Sequence, residues 1–266
     1  MNNTTDLLFF TAVDNGYECF IPLYMYFANK YNPNSCFEFL VKNLTNEFEI
    51  LMDKFITDFN IKSLKLRTFN NKISAHKLRF LEEPITKCNY TYIGDIDIFI
   101  NENILPFHIN EMNKYNTIYD NKLRLGKPEF MSGLHFVKTN EYFQQTKDTR
   151  TKYYNLLLKV TSKEIKNDFL LHIQDECLLK LIMVESNIKL LDNITDQTFN
   201  RPLHGLHISL HRKPFTNNME FPGDLYKSMI IDNLYNSIDW SKLQQYILPK
   251  LQNILITCNN YIINNN

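Results

Sequence analysis

The chain lacks the cysteine patterns that mark disulfide scaffolds and zinc sites. Its cysteines are odd in number and scattered, and no Cys-x-x-Cys pair occurs among Cys19, Cys36, Cys88, Cys177 and Cys258. Such a set predicts reduced and mostly buried thiols in a cytoplasmic protein.

Long apolar runs and an excess of one charge are also missing. No stretch reaches the roughly 18 apolar residues that a spanning helix needs, and Leu7–Val13 is too short for the apolar region of a signal peptide. Lys and Arg number 29, as do Asp and Glu, so the formal net charge is zero. This balance argues against a general nucleic-acid-binding surface. With 266 residues, 44% of them hydrophobic, the chain can build one large domain with an annex.

The first hundred residues alternate strand and helix patterns. Predicted strands cover 7–13, 36–41, 61–69 and 90–93, and predicted helices cover 18–30, 45–59 and 74–81. This order predicts a mostly parallel sheet flanked by helices. Further strands are predicted over 129–138 and 188–191. Ligands bind at the carboxyl ends of such strands, so Asp14 and the pair Asp95/Asp97 are expected to lie close together.

The most informative stretch runs from Tyr92 to Phe99, where two carboxylates interrupt an apolar strand. Strand alternation predicts that Asp95 and Asp97 share one face. Buried carboxylates need a positive partner, and a divalent cation that also holds a diphosphate would supply it. A lone Asp-x-Asp has low specificity, and a solvated turn between two strands is the alternative.

A second group of polar residues follows between His204 and Phe215. A lone histidine such as His207 is more often a hydrogen-bonded core residue than a ligand. An imidazole nitrogen does, however, commonly complete a site built from two carboxylates. Lys213 follows six residues later and would offer a point charge for phosphate.

These residues resemble motifs of the retaining GT-A glycosyltransferases of family eight, the family of glycogenin and the lipopolysaccharide galactosyltransferases. The family motif H-x-x-G-x-x-K-P-W is matched by His207, Lys213 and Pro214, whereas Leu210 replaces the glycine and Phe215 the tryptophan. Further landmarks fall in the family's order: Phe10–Tyr17, Ala75–Leu81, Tyr92–Ile98, Met131–Leu134 and Gln174–Leu178. The resemblance covers about four-fifths of the chain, roughly residues 6 to 215.

The resemblance implies a role for each matched residue. Asp95, Asp97 and His207 would bind Mn²⁺ or Mg²⁺, and Lys213 would contact the diphosphate. Asp14 and Asn15 would read base and ribose, Tyr17 would stack on the base, and Arg79 would bridge donor sugar and phosphate. Asp175 would hold donor-sugar hydroxyls, and Glu176 would lie beneath the anomeric carbon. The family has Gln at the Glu176 position; here the carboxylate could stabilise an oxocarbenium-like transition state or attack it, and the sequence leaves both open.

By this resemblance we expect a metal-dependent retaining hexosyltransferase that uses a UDP-sugar and a glycan or lipid-linked acceptor. We expect a catalytic GT-A domain over 1–222 and a helical extension over 223–266. The substitutions Met131, Leu210 and Glu176 keep open a catalytically weak protein that binds nucleotide sugars or glycans. A haloacid-dehalogenase-like phosphatase is disfavoured, because there the Asp pair follows the first strand.

The tail is amphipathic and admits two interpretations. Its apolar face would comprise Trp240, Leu243, Tyr246, Ile247, Leu251, Ile254 and Leu255, with Pro249 interrupting the helix. We favour docking on the catalytic domain over peripheral membrane contact, because Lys242 and Lys250 alone give little attraction to anionic lipid.

Overall fold

The computed structural model describes residues 6–124, 127–191, 204–208 and 223–265. The strands are β1 (Leu7–Val13), β2 (Cys36–Lys42), β3 (Ser63–Phe69), β4 (Tyr90–Ile93), β5 (Ile98–Ile100), β6 (Tyr119–Asp120), β7 (Leu123–Arg124), β8 (Lys127–Met131), β9 (His135–Lys138) and β10 (Gly205–His207). The α-helices are α1 (Ile21–Tyr31), α2 (Asn46–Asp58), α3 (Ala75–Leu81), α4 (Leu105–Tyr115), α5 (Thr139–Thr161), α6 (Asp168–His172), α7 (Asp175–Glu185), α8 (Gly223–Tyr226), α9 (Trp240–Leu243) and α10 (Pro249–Asn265). Short 3-10 helices cover Glu18–Phe20 and Gln244–Tyr246, and a π-helix covers Lys227–Leu234.

The central sheet has the order β3-β2-β1-β4-β9-β6. The neighbours from β3 to β4 pair in parallel, and β9 runs antiparallel to both β4 and β6. The predicted mostly parallel sheet flanked by helices is therefore confirmed. Strand order reverses beside β1, so a crevice is expected outside the carboxyl ends of β1 and β4.

Strand β1 is buried along its whole length, which explains why all of its residues except Thr11 are apolar. The Thr11 hydroxyl donates to the carbonyl of Gly94 at 2.7 Å. Leu7, Phe9 and Val13 pack into a core that includes α1, α2 and the C-terminal helices. Leu8 and Phe10 point to the other face and pack with α3, α5 and α7. The two-residue period of the strand thus divides the molecule into three layers.

Two strand predictions were wrong. The stretch predicted over 129–138 is two strands, β8 and β9, separated by Ser132, Gly133 and Leu134. Residues 188–191 form no strand. Two of their backbone groups bond to Tyr119 instead: its hydroxyl donates to the carbonyl of Lys189 at 3.0 Å and accepts from the N–H of Leu191 at 3.0 Å. A side chain thus satisfies backbone groups that a sheet ladder would otherwise pair.

The C-terminal segment packs against the sheet domain. Leu243, Tyr246, Leu251 and Leu255 are buried in the same core as β1. The helical tail is interrupted just before Pro249, as predicted: a 3-10 helix ends at Tyr246, and Pro249 begins α10, where its missing N–H costs nothing. The apolar face of the tail is therefore covered by the rest of the chain, in line with the favoured docking interpretation. The domain boundary at 222/223 and a contact with a membrane stay predictions. Among the described residues, no helix has the length and apolarity needed to cross a membrane.

Candidate functional site

Asp95 and Asp97 lie in a tight turn between β4 and β5, where the N–H of Ile98 donates to the carbonyl of Asp95 at 3.3 Å. The prediction that strand alternation orients both carboxylates was wrong, because the strand ends at Ile93 and β5 leaves the central sheet. The turn is not a solvated one either. The side chain of Asp95 is 32% exposed, and that of Asp97 only 10%.

Arg79 of α3 joins this turn to the start of α7. Its guanidinium is buried; Nη1 donates to Asp95 Oδ1, and Nη2 donates to Asp175 Oδ2 at 2.9 Å. Burial lowers the pKa of Arg79, but the nearby carboxylates of Asp95 and Asp175 raise it by more than burial lowers it. The pKa of Arg79 is therefore raised above its ordinary value. The arginine is therefore charged at any ordinary pH. Its Nε is buried and has no hydrogen-bond partner among the described residues.

Gly133, between β8 and β9, lies against Arg79, Asp95 and Glu176. Its N–H donates to Glu176 Oε1 at 3.1 Å. A Cβ built at this position would lie 3.1 Å from Arg79 Nη2, 3.4 Å from Glu176 Oε1 and 3.6 Å from Asp95 Oδ2. Any larger residue would crowd the charged cluster, so glycine is what allows the loop to approach it. Sequence matching had placed Gly133 in a landmark without giving it a role.

Asp175 and Glu176 occupy the first turn of α7, an 11-residue helix with no basic residue there. The partial positive charge of a helix N-terminus stabilises carboxylates in that position. On α3, burial lowers the pKa of His76, and Asp175 opposes that shift. The cluster thus concentrates one arginine and three carboxylates, from Asp95, Asp175 and Glu176, around Gly133.

The strand pair β5–β10 brings His207 to Asp97. His207 pairs with Ile98 in the register, and the N–H of Ile208 donates to the carbonyl of Asp97 at 2.8 Å. Gly205 is required for this close pairing, because a Cβ there would lie 1.8 Å from the carbonyl oxygen of Phe99. His207 Nε2 lies 3.5 Å from Asp97 Oδ2.

Asp97 and His207 are chemically suited to a divalent cation. Two ligands bound to one ion at about 2.1 Å each lie about 3 Å apart, close to the 3.5 Å between these two atoms. Asp95 instead faces Arg79, and within the described residues no group of three His, Cys, Asp or Glu side chains is placed to hold an ion. Two of the three predicted ligands are therefore adjacent, and the full triad stays a prediction.

His204 does not belong to this pair. His204 Nδ1 lies 2.7 Å from Glu102 Oε1, and His204 Nε2 lies 3.0 Å from His108 Nε2. The other ring nitrogen of His108, Nδ1, lies 2.6 Å from Asp120 Oδ2. Burial and His108 lower the pKa of His204. This buried chain turns His204 away from His207 and attaches the start of β10 to α4 and β6. His211 lies outside the described residues.

The carboxyl end of β1 carries the residues expected to read the nucleotide. Asp14 Oδ2 accepts from the N–H of Ala75 at 3.2 Å, whereas Oδ1 is buried without a hydrogen-bond partner among the described residues. Lys42, at the end of β2, lies 3.6 Å from Asp14 Oδ1. Asn15 is exposed and accepts from Asn43 at 3.3 Å. Sequence reasoning missed Lys42, although its place at the end of the neighbouring strand was a usable signal.

The structure therefore brings most of the predicted site residues to one edge of the sheet. Asp95, Arg79, Asp175 and Glu176 form one cluster, Asp97 and His207 a second, and Asp14, Asn15 and Tyr17 share the loop after β1. Lys213 lies outside the described residues, as do the motif positions Leu210, Pro214 and Phe215.

Comparison with solved structures shows where this architecture occurs. The glycosyltransferase GlyE of Streptococcus pneumoniae TIGR4 superposes with a TM-score of 0.53 at 13% identity, covering 97% of this chain and 64% of that one. Its apo-form gives a TM-score of 0.50 with the same identity and coverage. The galactosyltransferase LgtC, in complex with donor and acceptor sugar analogues, gives 0.44 at 13% identity over 66% of this chain and 69% of that one; this score carries no weight for the fold.

No protein-family model matches the chain. No curated protein matches it either. The likeness to GlyE shows the fold alone: a mixed α/β architecture with a mostly parallel sheet, as in GT-A glycosyltransferases. This chain spans about two-thirds of GlyE's length, at 64%.

Proposed function

We propose that this protein is a metal-dependent retaining glycosyltransferase of the family-eight type. It moves a hexose from a UDP-sugar to a hydroxyl group of a glycan or lipid-linked acceptor. One observation carries the proposal: side chains from α3, the β4–β5 turn and α7 converge on Gly133 at the sheet edge where the strand order reverses. In open α/β sheets that edge is where ligands bind.

Arg79 is the proposed contact for the donor's sugar–phosphate linkage. It is charged, buried and held by two carboxylates, so its position is fixed before the donor binds. Fixed charges of this kind stabilise the charge that develops on a leaving diphosphate without having to reorganise. Lys213 is proposed to add a second positive charge.

Asp97 and His207 would hold Mn²⁺ or Mg²⁺, with Asp95 as the third proposed ligand. When bound, the ion would neutralise negative charge on the diphosphate. Asp175, at the start of α7, is proposed to accept hydrogen bonds from donor-sugar hydroxyls. Asp14, Asn15 and Tyr17 are proposed to bind the base and ribose.

Glu176 is proposed to stabilise positive charge at the anomeric carbon. One of its carboxylate oxygens already accepts from the N–H of Gly133 at 3.1 Å, which positions the group firmly. An oxygen that accepts this hydrogen bond is less available to form a bond to carbon, so a stabilising role is proposed in preference to nucleophilic attack.

A second candidate is a nucleotide-sugar-binding protein of low catalytic activity. The observation that favours it is the engagement of Asp95 by Arg79, together with the lack of a three-ligand group among the described residues. This candidate predicts tight Mn²⁺-dependent UDP binding without turnover.

Donor hydrolysis distinguishes the two. The purified full-length chain is incubated with a panel of UDP-sugars and GDP-sugars, with Mn²⁺ or with EDTA, and released nucleoside diphosphate is measured. We expect metal-dependent release from one UDP-sugar, reduced by about 100-fold or more in Asp97→Ala and His207→Ala. Asp53→Ala, which removes an exposed carboxylate on α2, is the matched control and should retain full activity. A preference for GDP-sugars would refute the base assignment, and UDP binding without any release would favour the binding protein.

A further inference from the structure

We infer that His108 and His204 share one proton as an imidazolium–imidazole pair, and that this pair makes His204 a positioning residue for His207. The second half of the inference rests on the proposed function, in which His207 holds the divalent cation. Neither His108 nor His204 has a part in the chemistry proposed above.

Three hydrogen bonds in a row fix the number of protons in the pair. His204 Nδ1 lies 2.7 Å from Glu102 Oε1, the two Nε2 atoms lie 3.0 Å apart, and His108 Nδ1 lies 2.6 Å from Asp120 Oδ2. Each contact needs one proton, whereas two ionised carboxylates and two neutral imidazoles hold only two between them. With two protons, one of the contacts would bring lone pairs together in a buried place. Because imidazole is more basic than a carboxylate, the third proton belongs to the rings.

The surroundings favour one positive charge on the pair and oppose a second. Asp120 is 5% exposed, and its ion-pair partner within the described residues is His108. A buried carboxylate needs such a cation. The ring of His108 also stacks on Phe136 with the centroids 4.3 Å apart, and an aromatic face attracts a cation. Burial and the charge of His108 lower the pKa of His204, so His204 takes no second proton at neutral pH.

Two further titratable groups face the pair. The ring centroid of Tyr92, on β4, lies 6.0 Å from that of His108 and 6.4 Å from that of His204. The second group is His135 on β9, whose pKa is lowered by burial and by the charge of His108. Both groups are uncharged at neutral pH, so the two carboxylates at the ends of the hydrogen-bonded row balance the shared proton.

The pair holds the beginning of β10. His204 directly precedes Gly205, and its carbonyl accepts from the N–H of Asn101 at 2.7 Å while its ring contacts Glu102 and His108. His204 adopts φ +55°, a left-handed conformation that residues other than glycine keep where surrounding contacts hold them. The shared proton supplies one of those contacts.

His207 depends on this anchor because β5 and β10 form a separate two-stranded sheet with three residues in each strand. So short a pair is marginally stable without further contacts. The 3.5 Å separation of His207 Nε2 and Asp97 Oδ2 requires that β10 stay paired with β5. Loss of the shared proton would set two lone pairs against each other, release His204 and loosen the metal ligand.

Nuclear magnetic resonance of the full-length chain with isotope-labelled histidine tests the shared proton. The wild type should show a ring N–H signal that is protected from exchange and lies downfield of ordinary imidazole N–H signals. His204→Gln should abolish this signal, whereas His135→Gln, which changes another buried histidine, should keep it. Glu102→Gln removes one negative charge at an exposed position, while its amide oxygen still accepts the hydrogen bond. As pH is raised, the signal should therefore disappear at a lower pH in Glu102→Gln than in the wild type.

Manganese affinity tests the positioning role. Binding of Mn²⁺ to the same proteins is measured by calorimetry without nucleotide. His204→Gln should bind Mn²⁺ about tenfold more weakly, as when a residue that orients a metal ligand is lost, and His135→Gln should stay within about twofold of the wild type. Glu102→Gln keeps the test available if His204→Gln does not fold. At a pH where Glu102→Gln has lost the signal and the wild type keeps it, this variant should also bind Mn²⁺ more weakly.

The outcomes separate this inference from the proposed function. A wild type without the downfield signal, or survival of the signal in His204→Gln, overturns the shared proton even if Mn²⁺ binds and sugar is transferred. The expected signal together with unchanged Mn²⁺ affinity in His204→Gln overturns the positioning role. A wild type that binds no Mn²⁺ overturns that role and the metal dependence of the proposed function, while the signal still decides whether the proton is shared.

Discussion

Two buried arginines, Arg79 and Arg150, look alike in the sequence and differ in what surrounds them. Each is almost inaccessible, at 3% and 4% exposure. Each guanidinium also lies over a phenylalanine ring, 4.8 Å from Phe80 for Arg79 and 4.7 Å from Phe143 for Arg150.

Their hydrogen bonds separate them. Arg150 Nε donates to Thr146 at 3.0 Å, Nη1 to the carbonyl of Leu81 at 2.9 Å, and Nη2 to the carbonyl of Phe143 at 3.0 Å and to Glu83 at 3.2 Å. Arg79 has only the carboxylates of Asp95 and Asp175, and its Nε is without a partner among the described residues.

The difference indicates two uses of the same side chain. Arg150 bonds mainly to backbone carbonyls, which are fixed parts of the fold, so it connects α5 to the end of α3 permanently. The carboxylates that bind Arg79 are partly exposed, at 32% and 20%, and can exchange with a ligand. A buried cation with an unpaired donor lowers the stability of the fold. Such a loss is expected at a functional residue rather than at a structural one, which favours a functional role for Arg79.

The largest effect is expected for Arg79→Gln. Because the proposed role is stabilisation of the leaving diphosphate, the rate of metal-dependent donor hydrolysis should fall by about 100- to 1000-fold. The melting temperature should fall less than in Arg150→Gln. Steady-state kinetics and thermal unfolding measure the two quantities. A hydrolysis rate within tenfold of the wild-type rate would mean that Arg79 has a structural role only, as Arg150 does.

Arg150→Gln should show the reverse pattern. Removing the cation leaves several buried acceptors unsatisfied, so the free energy of unfolding should fall by about 3 kcal/mol. The kcat per folded molecule should not change, because Arg150 does not reach the site. Urea unfolding with parallel kinetics at low temperature provides the measurement. A large loss of kcat in the folded protein would contradict the comparison.

The buried His135 should make the stability of the fold depend on pH. Burial, reinforced by His108, lowers the pKa of His135 to about 3. The unfolded chain, with a histidine pKa near 6.5, binds the proton more strongly, so stability is present above pH 6.5 and is lost as pH falls toward 3. Between pH 6.5 and 5 this one group should cost about 1.5 kcal/mol of unfolding free energy.

The matched variant is His135→Gln, whose amide oxygen can still accept from Asn121. The pH dependence of urea unfolding should be shallower in this variant than in the wild type across that interval. Equal slopes would mean that His135 is not the group that titrates.

The smallest effect is expected for Glu176→Gln. An amide oxygen can still accept from the N–H of Gly133, so the free energy of unfolding should change by less than about 1 kcal/mol. Donor hydrolysis should fall by about tenfold or less if the carboxylate only stabilises charge. Complete loss of turnover, with a trapped sugar adduct detected by mass spectrometry in wild type alone, would instead identify Glu176 as a nucleophile.

Sequence determined the ordered framework of this protein. Apolar runs and turn residues were enough to locate β1, β4 and the helices between them. The helix predicted from residue 45 begins where Thr45 caps α2, with its hydroxyl accepting from the N–H of Phe48 at 3.3 Å. These features follow from local periodicity and local hydrogen bonding. The family motifs also named residues that the fold then gathers at one edge.

Only the tertiary structure decided which of those residues meet. The turn at Asp95 and Asp97 depends on the pairing of β5 with β10, more than a hundred residues away. The distinction between Arg79 and Arg150, and the place of His204 beside His108, likewise depend on contacts between distant segments. No local pattern encodes such contacts, because they arise where separate layers pack on one sheet and bring remote polar groups within reach of each other.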